Sequence, residues 1–202
     1  MKRHLLGLCL IVGLAVSAAP LPCSRADWAY NPLAWTFDDA AQTVRAGGFP
    51  GRFAVHEATP CSARVRISAR VTPEGTVGTN EWSTLGVALV DDDRNFWHVA
   101  LVQAPQGVAG GRRFFELAEM RDGVWLAQHG DRLKTTHHRQ TACWVDGAAY
   151  EVTLACTPDG ISGSVKDARG AVVWEMGYAF PKPDAEGAAK AVTCGRPALQ
   201  AT

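Results

Sequence analysis

The stretch from Trp82 to Val102 reads WSTLGVALVDDDRNFWHVALV, two apolar runs joined by Asp91-Asp92-Asp93-Arg94-Asn95. Leu85, Val87 and Leu89 recur at every second position, and so do Trp97, Val99 and Leu101. The residues between them are largely apolar as well, with His98 the exception. Such runs about a turn rich in Asp and Asn predict an antiparallel hairpin buried on much of both faces. A hairpin of that kind belongs at the centre of a sheet.

The flanking sequence repeats the two-residue period. Ala63, Val65, Ile67, Ala69 and Val71 fall on one face of a strand and Arg64, Arg66, Ser68 and Arg70 on the other. Tyr150, Val152 and Leu154 alternate with Glu151 and Thr153, and Ile161, Gly163 and Val165 with Ser162, Ser164 and Lys166. Phe53 and Val55, Arg113 to Met120, and Val172 to Met176 read as further strands, with turn material at Val44 to Gly51, Pro73 to Asn80 and Thr157-Pro158-Asp159-Gly160. The polar segment His129 to Thr141 reads as a surface loop. Only Asp184 to Val192 has helix-forming composition, and it is short. About ten short strands punctuated by turns predict an all-β, two-sheet antiparallel jelly-roll sandwich, a barrel being the alternative. The run from Gly195 to Gln200 reads as a turn entering one more strand, and two readings stay open: the sandwich closes by another route, or its last strand is missing.

The chain opens on Lys2, Arg3 and His4, an apolar run from Leu5 to Val16, and small residues at Val16-Ser17-Ala18. That is the pattern of a secretory signal peptide over residues 1–18, and the run is shorter than the about 17–25 residues a membrane span needs. The expected location is secreted or periplasmic, with residues 19–52 a lead-in holding one short strand near Trp35 and residues 53–202 the sandwich domain. Loss of Lys2 and Arg3 leaves 18 basic against 20 acidic side chains. A near-neutral surface of that kind offers no footprint for nucleic acid. In an exported chain, Cys23, Cys61, Cys143, Cys156 and Cys194 are expected to form disulfides. The expected pairs are Cys143 with Cys156, bracketing one turn and strand, and Cys61 with Cys194, opening an early strand and ending a late one. Cys23 is left over.

Asn95-Phe96-Trp97-His98, Trp144-Val145-Asp146-Gly147 through Val152, Ile161 to Val165 and Gly195-Arg196-Pro197-Ala198-Leu199 together carry a family likeness. Over residues 53 to 200 the chain resembles the concanavalin A-like lectin/glucanase superfamily, and most of all the laminin-G-type and 3-keto-disaccharide hydrolase-like jelly rolls of secreted bacterial proteins. The resemblance implies a sandwich fold and an association with sugars. Catalytic members similar to laminarinases carry a Glu-x-Asp-x-x-Glu run. The nearest text here, Glu116-Leu117-Ala118-Glu119, lacks the Asp, and Glu116 and Glu119 face opposite ways on a regular strand.

Candidate site residues follow from side-chain chemistry. His98 is a polar residue in a central strand, either a ligand donor or a core histidine with a partner. Glu116 and Glu151 are candidates for the carboxylate pair that a glycosidase needs. Trp28, Trp35, Trp125 and Trp144 lie near turns and suit sugar stacking, while Trp97 and Trp174 read as core. Arg66 sits on a basic ridge suited to acidic sugar groups. Asp91-Asp92-Asp93 and His137-His138 lack the spacing of a metal site, and no cofactor motif occurs. The expected function is a secreted carbohydrate-associated binding module with a glycan ligand. The alternatives are a glycoside-processing hydrolase and a structural envelope domain without a ligand.

Overall fold

The computed structural model describes residues 6–9, 12–13, 20–21, 24–47, 51–75, 80–126, 133–182 and 191–202. Apart from single 3-10 turns at Arg25–Asp27 and Ala109–Gly111, the regular structure there is all β. In chain order the first strands are β1 (Leu6–Cys9), β2 (Val12–Gly13), β3 (Pro20–Leu21), β4 (Trp28–Tyr30), β5 (Trp35–Asp38) and β6 (Thr43–Ala46). Next come β7 (Phe53–His56), β8 (Val65–Thr72), β9 (Ser83–Asp92), β10 (Asn95–Gln103), β11 (Arg113–Arg121) and β12 (Val124–Leu126). The last are β13 (Lys134–Gln140), β14 (Tyr150–Thr157), β15 (Gly160–Lys166), β16 (Val172–Ala179) and β17 (Arg196–Ala201).

They build an antiparallel, jelly-roll-like sandwich. One sheet has eight strands in the order β13-β16-β15-β14-β8-β1-β6-β5, and the other seven in the order β12-β11-β10-β9-β17-β7-β4. The β9–β10 hairpin lies in the middle of the seven-stranded sheet, where both faces are covered, as its two apolar periods require. Leu85, Val87, Leu89, Trp97, Val99 and Leu101 point into the sandwich. They meet Ile67, Leu154, Ile161, Trp174 and Met176 of the opposite sheet. Each such side chain contributes about 1.5–3 kcal/mol on full burial. At Gly163 the sheets lie so close that an added Cβ would stand 2.5 Å from a methyl of Val99. Glu119 enters this core and is fully buried. Its Oε1 accepts a hydrogen bond from Val192 N at 2.6 Å, and Trp97 Nε1 donates to Val192 O at 2.9 Å.

The run after Gly195, read as a turn entering one more strand, forms that strand: β17 lies between β9 and β7, pairing Ala198 with Ala88 and with Val55. Other expectations are corrected. Lys134–Gln140, read as loop, is an edge strand on β16. All seven of its residues are exposed, so it carries none of the apolar alternation that reveals a strand. The first residues of the stretch taken for a turn, Val44 to Ala46, belong to β6, which pairs with β5. The strands β4 to β6 of the lead-in are shared between the two sheets. Trp28 and Trp35 are buried in the core rather than offered as platforms, and Trp35 Nε1 donates to Gly51 O. Within residues 1–18, β1 pairs with β6 on one side and β8 on the other. Cys23 and most of the stretch from Asp184 to Val192 lie outside the described residues.

Candidate functional site

Alternation along β10 sends Phe96, His98, Ala100 and Val102 to the face of the seven-stranded sheet that looks away from the core. Their partners on β11 are Met120, Ala118, Glu116 and Phe114. On β9 they are Val90, Ala88, Gly86 and Thr84. The middle of this outer face is floored by small residues, and over them lies the ring of His98. His98 is fully buried. Its Nδ1 is 2.6 Å from Gln200 Oε1 and its Nε2 is 3.0 Å from Glu116 Oε1. Both neighbours present oxygen, so the ring donates on the Gln200 side. On the Glu116 side the ring nitrogen and the carboxyl oxygen share one hydrogen bond. The Glu116 side chain is 15% exposed against 0% for His98. The carboxyl is therefore the end of the Gln200–His98–Glu116 chain that meets solvent, and its orientation is set from below.

Trp125 covers the imidazole, ring centroids 5.0 Å apart, and packs edge-on against Phe96 at 5.5 Å. It remains 47% exposed. Two turns lock together to place it. Arg94 Nη2 donates to Asp122 O, Gly123 N to Arg94 O, and Asp122 N to Asn95 Oδ1. Asp92 belongs to the same turn system: hydrogen bonds from the Asn95 side chain and the Arg94 backbone hold its carboxyl below the ordinary carboxylate range. Its oxygens cap a turn. Among the described residues, no three of His, Cys, Asp and Glu gather as metal ligands.

The other sequence candidates scatter. Glu151 stands on β14 in the opposite sheet, exposed, with Lys166 Nζ 3.3 Å from its carboxylate. Glu116 and Glu151 therefore do not share a cleft. Arg66 lies on the exposed side of β8, again in the opposite sheet. Trp144 is buried at 4% exposure. Its Nε1 donates to Val102 O and Phe114 O, and the Arg113 guanidinium covers its ring at 4.4 Å. It is a clamp between loop and sheet, not a platform. Gln200, in a run read as a turn and strand entry, was the member of the site that sequence reasoning missed.

The cysteines divide likewise. Cys194 is hydrogen-bonded to Cys61, and that bond followed by burial pushes its thiol up to about 11. Cys156, beside Cys194, is pushed up to about 12 chiefly by burial. Cys143 is elsewhere. Cys156 lies across β15 from Tyr178, whereas Thr141 bonds to Val173, five residues along β16 and roughly 17 Å away. A bond between Cys143 and Cys156 needs Cα atoms within about 7 Å, so the fold does not bring that pair together. All four described cysteines are thiols here. On oxidation, non-reducing peptide mapping is expected to return Cys61 linked to Cys194, with Cys156 unalkylated by iodoacetamide at pH 8 until the chain is unfolded. A Cys143–Cys156 peptide would refute this arrangement.

No protein-family model matches the chain, and no curated protein does. Two solved structures are similar to it. One is scytalido-glutamic peptidase with a transition state analog inhibitor, at 12% identity and a TM-score of 0.41, covering 69% of this chain and 60% of that one. The other is the enzymatically active domain of bacteriophage CBA120 tailspike protein 2, at 12% identity and a TM-score of 0.45, covering 94% of this chain and 25% of that one. The chain thus spans less than two thirds of the first and a quarter of the second. Likeness at this level carries no argument about chemistry. What stands is a β-sandwich with a Gln200–His98–Glu116 chain on the outer face of one sheet.

Proposed function

We propose that the chain is a secreted carbohydrate-associated binding module that holds its glycan on the outer face of the seven-stranded sheet. The observation that carries this reading is Trp125, half-exposed beside a carboxyl whose direction is fixed by His98 and Gln200. An indole face stacks on the C–H face of a sugar ring, and a fixed carboxyl next to it accepts hydrogen bonds from the hydroxyls. His98 itself is too deep to touch a ligand and acts as a positioning residue for Glu116. The sequence resemblance to concanavalin A-like proteins supports the same reading. A glycosidase built on two carboxyl groups is not supported, because Glu151 faces away from Glu116 on the other sheet.

The test is a glycan array paired with a hydrolysis screen on the same folded protein. Binding without turnover is expected, weakened about tenfold by Trp125→Ala. Turnover abolished by Glu116→Gln would instead establish the hydrolase. No binding and no turnover would leave the structural envelope domain. Export with cleavage after Ala18 belongs to this reading, and amino-terminal sequencing of the secreted protein tests it. Cleavage there removes β1 from between β6 and β8 and leaves those two edges facing each other.

A further inference from the structure

A second platform lies on the same outer face. Trp82 precedes β9, is 50% exposed, and packs edge-on against Phe114 with ring centroids 6.2 Å apart. Each platform carries an arginine. The Arg112 guanidinium lies 5.4 Å from the Phe114 centroid. At the other end Arg52 lies 5.4 Å from Phe96, the ring that Trp125 packs on, and 5.8 Å from Phe53. Both arginines are exposed, and among the described residues neither is paired with a carboxylate. Val102, the strand partner of Phe114, stands six steps along β10 from Phe96, a distance of roughly 20 Å. Glu116 lies between the two ends.

From this arrangement, and resting on the carbohydrate reading of the face, we infer that the ligand is an acidic oligosaccharide. It lies along β10 and β11 over several sugar units, with a uronate carboxylate or sulfate ester held at each arginine end. A guanidinium held over an aromatic ring is already ordered; Arg52 gives one Nη1 hydrogen bond to Met120 Sδ at 3.8 Å and keeps its other N–H groups, so each arginine can take an oxyanion at little cost in side-chain entropy. Trp82 and Trp125 supply the stacking faces. Glu116 repels an anionic group and accepts from hydroxyls, so the units over the middle present hydroxyls and the acidic groups fall at the ends. The arrangement selects for spacing as well as charge. A monosaccharide reaches one platform only.

Isothermal titration of the purified chain with oligouronides from mono- to hexasaccharide, their sulfated counterparts and neutral oligosaccharides of equal length tests this. Affinity is expected to climb with length in one of the two acidic series, which identifies the anion. Neutral oligosaccharides should bind at least about tenfold more weakly, and the acidic preference should shrink as salt rises. Arg52→Gln and Arg112→Gln should each lower acidic binding about tenfold and neutral binding by clearly less. Trp82→Ala should remove the gain from the longer chains while sparing the shortest. Arg139→Gln, on the edge strand of the opposite sheet, should change nothing. Neutral and acidic chains bound equally, with Trp125→Ala still weakening both, would overturn the acidic assignment and keep the carbohydrate face. Acidic binding indifferent to both arginine variants would overturn it as well. A folded protein that binds neither class overturns the carbohydrate reading itself.

Discussion

Gly86→Val is expected to cost about 4 kcal/mol, a large part of the about 5–15 kcal/mol that holds a domain folded. Gly86 sits in the middle of β9, opposite Ala100 of β10 and Gln200 of β17. A Cβ there would stand 2.0 Å from Val99 O and 2.9 Å from Ala100 Cα. Both contacts are with backbone held by ladder hydrogen bonds, so no rotamer change relieves them. β9 or β10 must shift, and a shift moves every side chain on the two central strands. Gly86→Ala is expected to act in the same direction. Urea denaturation followed by circular dichroism gives the measurement. A midpoint close to that of the parent chain would mean that β9 and β10 do not pack as described.

The same hairpin marks how far sequence reaches. Its strands were legible because two apolar periods interleave, and only a central strand covered on both faces needs both. β8 was legible for the opposite reason: its arginines mark one face as wet. β13 was not legible, since an edge strand with every side chain in water has no apolar period to show. β17 was half-legible, its residues recognised and its place between β9 and β7 not. Pairing partners and register decide the rest, and neither is written in a local pattern. They set Glu151 on the far sheet from Glu116, bury Trp144 beneath Arg113, and bring Gln200 to His98 across 102 residues. His98 stood out in sequence because a polar side chain in a buried strand must have a partner. Which partner depends on the fold. Trp82, Arg52 and Arg112 gave no signal, because an arginine over a ring looks like any other surface arginine until the ring is placed.

His98→Ala is expected to cost about 4 kcal/mol and to weaken glycan binding through Glu116. The imidazole is wholly buried and bridges a Gln200 side chain that is itself 1% exposed. Its removal leaves the Gln200 amide without its partner inside the protein, a loss of about 1–3 kcal/mol. It also opens a cavity beneath Trp125 and over Ala88 and Ala100, which the sheet backbone cannot close. Glu116, more exposed, turns to water and loses its fixed direction, and that is where binding suffers. Trp125 loses the ring that it rests on, so the two contributions to affinity fall together. A double-mutant cycle with Gln200→Ala separates the bridge from the cavity. The two substitutions should be less than additive by about 1–2 kcal/mol, because either one alone already breaks the bond between them. Additivity within about 0.3 kcal/mol, or a loss below about 1 kcal/mol for His98→Ala alone, would show that the bridge contributes little and that Glu116 is oriented by something else.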